Sequence, residues 1–268
     1  MDSFAQRLKR AMEQHGQLCV GIDPSEAALA DFGLPDTAEA ARDFGYELLS
    51  ACEGKVGIVK PQVAFFERFG SAGFVALEET MEAARESGLL VIADAKRGDI
   101  GSTMQGYAQA WFGDDSPLRS DALTLSPYLG PSSLAESIEA ARDVQAGVFI
   151  LAATSNPEAR ELQLAKSGSK TIADRVIEFA AEHRQGDVGI VVGATVDAKE
   201  FGIELIRDTD LGVPILAPGF GAQGAKLSDL PTIFGSSSGN VLANVSRAVT
   251  SAGPGQIAQQ IDRLKAEL

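Results

Sequence analysis

The chain has 268 residues, of which 45% are apolar and 22% charged, and a net charge of −14 at neutral pH. This composition can bury a sizeable core, while its acidity offers no basic surface to nucleic acid or anionic lipid. The chain has no apolar stretch near the ~20 residues that span a bilayer and no apolar signal-peptide core. Its two cysteines lack the spacing of a disulfide framework, so we expect a cytoplasmic protein with no nucleic-acid or membrane partner.

Eight apolar runs recur along the chain and are rich in Val, Ile and Leu. Runs of this kind indicate strands that are buried on both faces, as in parallel sheets. The runs are 18–22, 56–59, 89–93, 122–125, 147–151, 188–192, 214–217 and 241–245.

Helical patterns separate most of these runs. A leading helix through Phe4, Leu8 and Met12, with Ser3 as its N-cap, precedes the first strand. Apolar stripes predict further helices at 38–52, 74–87, 172–180, 201–206 and 257–264.

Eight strands alternating with helices over about 250 residues predict an α/β protein, a (β/α)8 TIM barrel with residues 1–268 as a single domain. A doubly wound open sheet is the alternative. That fold usually carries a glycine-rich first turn, and Gly21-Ile22-Asp23-Pro24 is not one.

Almost every apolar run ends in polar or turn-forming residues. In a barrel these ends meet at the carboxyl-terminal rim, where such enzymes carry their active sites. The residues are Asp23, Lys60, Asp94 with Lys96, Ser126, Thr154-Ser155, Thr195, Pro218-Gly219 and Ser246-Arg247.

The segment after the third run, Asp94-Ala-Lys96-Arg-Gly-Asp99, is the most informative of these ends. Asp94 and Lys96 are two positions apart, so a regular strand places both on one face. Carboxylates beside a lysine favour its charged form. A charged Lys96 opposes Schiff-base chemistry and suits an acid or an electrostatic stabiliser. The alternative is a solvated strand end, and for Lys60 a lysine whose charged head reaches back to solvent.

The last two strand ends predict a phosphate site. A glycine-rich loop, Pro218-Gly219-Phe-Gly221-Ala-Gln223-Gly, follows the seventh run, and Arg247 follows the eighth. Barrels often hold phosphate between these two loops with backbone N–H donors, and arginine adds a bidentate cation. Taken singly, the glycines also fit an ordinary turn and the arginine a surface charge.

The pattern Asp94-x-Lys96-x-x-Asp99-Ile100-x-x-Thr103 resembles the signature of orotidine 5′-phosphate decarboxylase, and its fuller wording resembles the longer bacterial branch of that family. The glycine loop and Arg247 resemble the family's phosphate-loop pattern, and the resemblance covers essentially the whole chain. It implies a homodimeric (β/α)8 barrel. It also implies conversion of orotidine 5′-monophosphate to uridine 5′-monophosphate and carbon dioxide, in de novo pyrimidine synthesis, without metal or cofactor.

By the same resemblance, Lys96 stabilises the carbanion left at pyrimidine C6 and then protonates it, and Asp94 lies beside the substrate carboxylate. Asp99, with Ile100 and Thr103, reaches into the partner subunit's site.

The resemblance also assigns substrate contacts. Asp23 and Lys60 bind the ribose hydroxyls and link Asp94 and Lys96 into a network of alternating charge. Ser155 contacts the pyrimidine, although Asn156 is an alternative for that contact. The phosphate is bound by Pro218, Gly219, Gly221, Gln223 and Arg247.

Two rival functions stay open at this point. Sugar-phosphate lyases such as 3-keto-gulonate 6-phosphate decarboxylase and hexulose phosphate synthase share the Asp-x-Lys-x-x-Asp signature. They resemble one another in using magnesium, with an acidic residue where this chain has Lys60. The second rival is a catalytically silent phosphate-binding barrel. The segment 156–169, longer than a minimal barrel loop, is expected to cover the base.

Overall fold

The computed structural model describes residues 2–183, 186–204, 208, 210 and 212–268. The strands are β1 Leu18–Ile22, β2 Ile58–Pro61, β3 Leu90–Arg97, β4 Ala122–Leu125, β5 Gly147–Ala153, β6 Lys166–Ser167, β7 Lys170–Thr171, β8 Val188–Val192, β9 Ile215–Ala217 and β10 Val241–Val245. Eight parallel strands close into a barrel in the order β1-β10-β9-β8-β5-β4-β3-β2, and β6 and β7 form a small antiparallel pair. This confirms the predicted (β/α)8 barrel.

Helices occupy most of the connections between the barrel strands. None of those in the described residues is long and apolar enough to cross a membrane. They are α1 Phe4–His15, α2 Glu26–Asp31, α3 Ala38–Cys52, α4 Val63–Glu67, α5 Gly70–Glu86, α6 Gly101–Phe112, α7 Ala135–Asp143, α8 Ala159–Gln163, α9 Ile172–Glu182, α10 Ala198–Phe201, α11 Leu230–Phe234, α12 Arg247–Thr250 and α13 Ile257–Lys265. Short 3-10 turns lie at Pro131–Leu134, Leu227–Asp229 and Gly235–Asn240.

Most predicted elements coincide with observed ones, and the differences are local. The second strand lies two residues later than the run 56–59, and Gly57 just before it packs against Ala11 of α1. In the predicted helix at 201–206, Phe201 ends α10 and Ile203 is outside any helix, while Leu205 and Ile206 fall outside the described residues.

Helix α1 closes the amino-terminal end of the barrel. Ser3 caps it in a reciprocal capping box with Gln6, as its position predicts. Phe4 is buried edge-on against Phe149 of β5, with ring centroids 6.1 Å apart. The side-chain-free Gly147 makes room, since a Cβ there would lie 2.2 Å from the Phe4 ring. Apolar side chains therefore fill the amino-terminal end of the barrel interior, and the polar strand ends lie at the opposite, carboxyl-terminal rim.

Candidate functional site

One carboxylate, that of Asp94, organises the carboxyl-terminal mouth of the barrel. Lys60 Nζ and Gln62 Nε2 each donate to its Oδ2 atom at 2.9 Å. Lys96 Nζ donates to Oδ1 at 2.6 Å, and the Thr124 hydroxyl donates to the same oxygen at 3.0 Å. Each oxygen thus receives one ammonium and one neutral donor. A carboxylate held by four donors is fixed in orientation as well as in charge.

Asp23 extends this cluster into a chain of alternating charge. Its Oδ1 atom lies 3.9 Å from Lys60 Nζ, within ion-pair range. That oxygen is buried, and no hydrogen bond from the described part of the chain reaches it. The order Asp23, Lys60, Asp94, Lys96 alternates in sign, so the cluster adds no net charge to the mouth.

Burial and ion pairing act in opposite directions on the two central groups. Burial alone would raise the pKa of Asp94, but the ammonium groups of Lys60 and Lys96 outweigh it and hold that pKa well below its usual range. Burial alone would lower the pKa of Lys60, but the carboxylates of Asp94 and Asp23 raise that pKa above its usual value. Both groups therefore stay ionised across the physiological range.

This ion pairing predicts a specific pH dependence of stability. The lowered pKa of Asp94 means that below about pH 4, its ordinary range, the unfolded chain binds a proton that the native protein does not. The stabilisation is thus present above pH 4 and lost as the pH falls. We expect the difference in free energy of unfolding between wild type and Asp94→Asn to shrink below pH 4. The change should reach about 1.4 kcal/mol per pH unit in urea titrations.

The matched control is Asp31→Asn at an exposed position of α2. A wild-type-to-Asp94→Asn difference that stayed constant from pH 6 to pH 3 would contradict the prediction.

Lys96 differs from Asp94 in exposure and in backbone geometry. Its side chain is 43% exposed, so the ammonium faces the open mouth. Its φ of 51° lies in the left-handed region, which costs a residue with a side chain about 1–2 kcal/mol. Simple strand alternation therefore does not explain why Lys96 joins Asp94. The ladder between β3 and β4 shifts register between Ala93 and Arg97, which turns the lysine toward Asp94.

Asp99 makes no ion pair with this cluster within the described residues. Asp99 lies just beyond β3, and its Oδ1 atom accepts from the Ile100 backbone N–H at 2.8 Å. Lys96 therefore does not lie between two carboxylates of its own chain, since its ion pair in the described residues is with Asp94. Ile100 and Thr103 are exposed, Ile100 by 61%.

The glycine-rich loop after β9 packs against the ends of two neighbouring strands. Gly219 and Gly221 have φ values of 115° and 72°, a region that glycine adopts without strain. A Cβ at Gly219 would lie 3.3 Å from the backbone nitrogen of Ala194, just after β8. A Cβ at Gly221 would lie 2.6 Å from Ala248 Cβ in α12. Only glycine allows this approach, so the ends of β8, β9 and β10 come together.

Two side chains beside this loop are free to meet a ligand. Arg247 begins α12 and is exposed, and in the described structure its guanidinium has no ion pair or hydrogen bond. Gln223 is exposed within the loop. The start of the loop is held in place, because the Pro218 carbonyl accepts from the Ala194 N–H at 2.7 Å. Arginine and glycine-loop amides together suit a phosphate group.

The end of β5 distinguishes Ser155 from Asn156. The Asn156 amide accepts from the Thr154 hydroxyl at 2.8 Å and donates to Glu158 at 3.1 Å. Ser155 is exposed and lies against the end of β8, where a Cβ on Gly193 would be 3.4 Å from its own Cβ. Its hydroxyl has no hydrogen-bond partner within the described ranges, so of the two residues Ser155 is the more available.

Residues 16–261 match the model of the orotidine 5′-phosphate decarboxylase / HUMPS family. The chain is 48% identical over 262 residues to orotidine 5′-phosphate decarboxylase of Streptomyces coelicolor, covering 95% of this chain and 92% of that protein. It is 47% identical over 261 residues to the Corynebacterium glutamicum enzyme of that name, covering 94% and 92%. The chain belongs to the orotidine 5′-phosphate decarboxylase / HUMPS family. The family predicted from the motifs is thus confirmed.

A solved structure within this likeness agrees over the whole chain. The crystal structure of a Streptomyces avermitilis protein, assigned as an orotidine 5′-phosphate decarboxylase, has a TM-score of 0.93 and 46% identity. The alignment covers 100% of this chain and 95% of that one.

Two of the residues that donate to Asp94, Gln62 and Thr124, were not assigned a role from the sequence of this family member. Gln62 follows Lys60 by two positions, which places both on one side of the chain at the end of β2. Its carboxamide donates to Asp94 and accepts weakly from Lys96 at 3.4 Å. Thr124 is the one polar residue in the apolar run of β4. Gln62 could have been identified by its two-residue spacing from Lys60, and Thr124 by being a polar residue within an apolar run.

Proposed function

We propose that this protein decarboxylates orotidine 5′-monophosphate to uridine 5′-monophosphate and carbon dioxide in pyrimidine synthesis. The observation that carries the proposal is the Asp94 carboxylate, fixed by four donors and flanked by an ammonium group that faces the open mouth. Membership of the family, and the curated decarboxylases at 47–48% identity, support it. The protein is accordingly assigned as a carboxy-lyase.

In the proposed reaction the bond from pyrimidine C6 to the carboxylate breaks and its electron pair stays on C6. The Lys96 ammonium stabilises this charge through a preorganised electrostatic contact. It then transfers a proton from Nζ to C6. The resulting neutral amine regains a proton from solvent, to which the side chain is 43% exposed. Carbon dioxide leaves with no further proton transfer.

Asp94 acts on the substrate carboxylate in this proposal. Its low pKa keeps it ionised, and its four donors prevent it from turning away from an approaching anion. The repulsion disappears when neutral carbon dioxide forms, so it is greatest before the reaction. Asp23 and Lys60 are proposed to bind the ribose hydroxyls, and Ser155 the pyrimidine.

The test of this activity is the loss of orotidine 5′-monophosphate absorbance with purified protein in excess chelator. Conversion to uridine 5′-monophosphate is expected. Inactivity in chelator, with magnesium-dependent turnover of a sugar phosphate, would overturn the proposal. The buried Lys60 ammonium, 2.9 Å from Asp94, stands where the magnesium-dependent relatives are expected to carry an acidic residue.

We place the substrate phosphate between the glycine loop and Arg247. Arg247→Ala is expected to lower kcat/KM for the nucleotide about 100-fold, the scale of one strong charge-assisted hydrogen bond. The loss for phosphate-free orotidine should be much smaller, because that substrate cannot use the contact. Steady-state kinetics with both substrates measures the difference.

Arg263→Ala on the exposed face of α13 is the matched control for charge. Equal losses for nucleotide and nucleoside would place the phosphate elsewhere.

We also propose a homodimer with shared active sites. Asp99 follows the end of β3 and makes no ion pair with Lys96 in the described part of its own chain. Exposed apolar side chains lie on its own segment and on a second loop: Ile100 follows Asp99 directly, and Tyr128 (75% exposed) and Leu129 lie on the loop after β4. Gly98 packs against Ser126 at the start of that loop, which brings the two segments together. An exposed apolar rim of this kind suits a second copy of the chain.

The proposed compartment is the cytoplasm. Cys19 and Cys52 are both free thiols, and both are buried. Burial raises the pKa of each thiol to about 12, which keeps them protonated and unreactive. Buried thiols that play no part in a disulfide fit a reducing environment.

A further inference from the structure

Thr124 stands alone opposite an irregular stretch of β3. In the ladder between β3 and β4, Ala93 pairs with Leu123 and Arg97 pairs with Leu125. Three residues, 94 to 96, therefore face the single residue Thr124. On its other side β4 keeps regular register with β5. A bulge of this kind redirects side chains, and here it contains both Asp94 and Lys96.

The Thr124 hydroxyl makes two hydrogen bonds across this bulge. It accepts from the backbone N–H of Lys96 at 2.9 Å, and it donates to Asp94 Oδ1 at 3.0 Å. Its direction is fixed, because a hydroxyl has one proton and the carboxylate has none to offer. Thr124 is 1% exposed, so water does not replace these bonds.

The Lys96 backbone needs such a restraint. Its φ of 51° is disfavoured for a residue with a side chain, and conformations of this kind persist only where the surroundings hold them. The position of Nζ depends on this backbone as well as on the flexible side chain. The backbone N–H of Lys96 and the carboxylate of Asp94 are both hydrogen-bonded to the same atom, Thr124 Oγ1.

We propose that Thr124 is a positioning residue, whose hydroxyl locks the Lys96 backbone in the left-handed conformation and sets the ammonium against Asp94 at the distance the reaction needs. The inference rests on the proposed decarboxylation. It assigns Thr124 no contact with substrate. It also explains why a polar residue occupies a buried position of β4.

Three variants test the role by steady-state kinetics. Thr124→Val keeps the shape and removes the hydroxyl, and it should lower kcat about 100-fold, the scale of loss when a reacting group is misplaced. KM should stay within about threefold, since the binding groups are untouched. Thr124→Ser restores the hydroxyl and should recover kcat to within about fivefold of wild type.

The matched control is Thr80→Val. Thr80 is fully buried in α5, and its hydroxyl donates to the Ala76 carbonyl of the same helix at 2.7 Å. Thr80→Val removes a buried hydroxyl, and we expect its kcat to equal that of wild type. Thr124→Ala serves as a second hydroxyl-free variant if the valine variant fails to fold, as judged by circular dichroism.

A second measurement does not need turnover. In protein with ¹³C-labelled lysine, the Lys96 Cε signal is assigned by its loss in Lys96→Arg. It should move toward the signals of exposed lysines in Thr124→Val and return in Thr124→Ser. If wild type fails to decarboxylate the nucleotide, the proposed function fails, while this signal still reports on positioning. Wild-type kcat in Thr124→Val, no rescue by serine, or an unmoved Lys96 signal would each overturn the role of Thr124.

Discussion

Lys96→Ala is expected to lower kcat by about 10⁴-fold or more, because it removes the proposed proton donor and the cation that faces the developing charge. Lys60 cannot take over. It is 4% exposed, and its ammonium is held by Asp94 at 2.9 Å with Asp23 on its other side. The loss should fall on kcat more than on KM, because the phosphate and ribose contacts remain.

The measurement is nucleotide turnover with a high concentration of variant, beside Lys9→Ala as a control on the exposed face of α1. Lys96→Arg separates the two roles of the lysine. It keeps a positive charge, but its guanidinium does not release a proton in proteins, so it should stay nearly inactive. More than about 1% of wild-type kcat in Lys96→Ala would contradict the mechanism, since acid catalysis alone is worth 10²–10⁴-fold.

A mixture of two inactive proteins, Asp99→Ala and Lys96→Ala, is expected to regain activity. If Asp99 completes the partner's site, a hybrid dimer holds one site with both residues intact. Random exchange makes half of the dimers hybrids, and one of the two sites in each is complete. Recovery should therefore approach about a quarter of the wild-type rate per protomer. Turnover is followed after the two proteins have exchanged subunits.

The structure supplies a matched control for this experiment. Asp94 and Lys96 contact each other within one chain at 2.6 Å, so a mixture of Asp94→Ala and Lys96→Ala should not recover. Subunit exchange is verified with two fluorescent labels. If the mixture of Asp99→Ala and Lys96→Ala shows no turnover although subunit exchange is verified, the proposal of shared active sites is refuted.

Much of the barrel was predictable from the sequence because strands covered on both faces read as continuous apolar runs. β1, β4, β8 and β10 begin and end where the runs do. The apolar stripe of helix α6 was not assigned from the sequence, although Met104, Ala108, Trp111 and Phe112 are buried at helical spacing within it. Single-domain organisation over residues 1–268 stays a prediction.

The candidate site was predictable in its charged residues and not in its geometry. Charges at strand ends stand out against apolar runs, so Asp94, Lys96 and Lys60 could be proposed directly. The bulge in β3 could not, because it depends on how β3 pairs with β4 rather than on local propensity. Without that bulge, neither the left-handed backbone of Lys96 nor the hydroxyl of Thr124 has a visible role.

The helix that closes the amino-terminal end of the barrel also constrains how the chain is made. Helix α1 leaves the ribosome well before β5, yet its Phe4 packs against Phe149 of that strand, which lies 145 residues further along the chain. The seam of the barrel is later still, because β1 pairs with β10 near the end of the chain. During translation the apolar face of α1 therefore lacks part of its native packing until β5 has been synthesised. Native docking of α1 cannot precede the synthesis of β5, so its apolar face is exposed while the barrel is half built, a stage at which a nascent chain is vulnerable to aggregation.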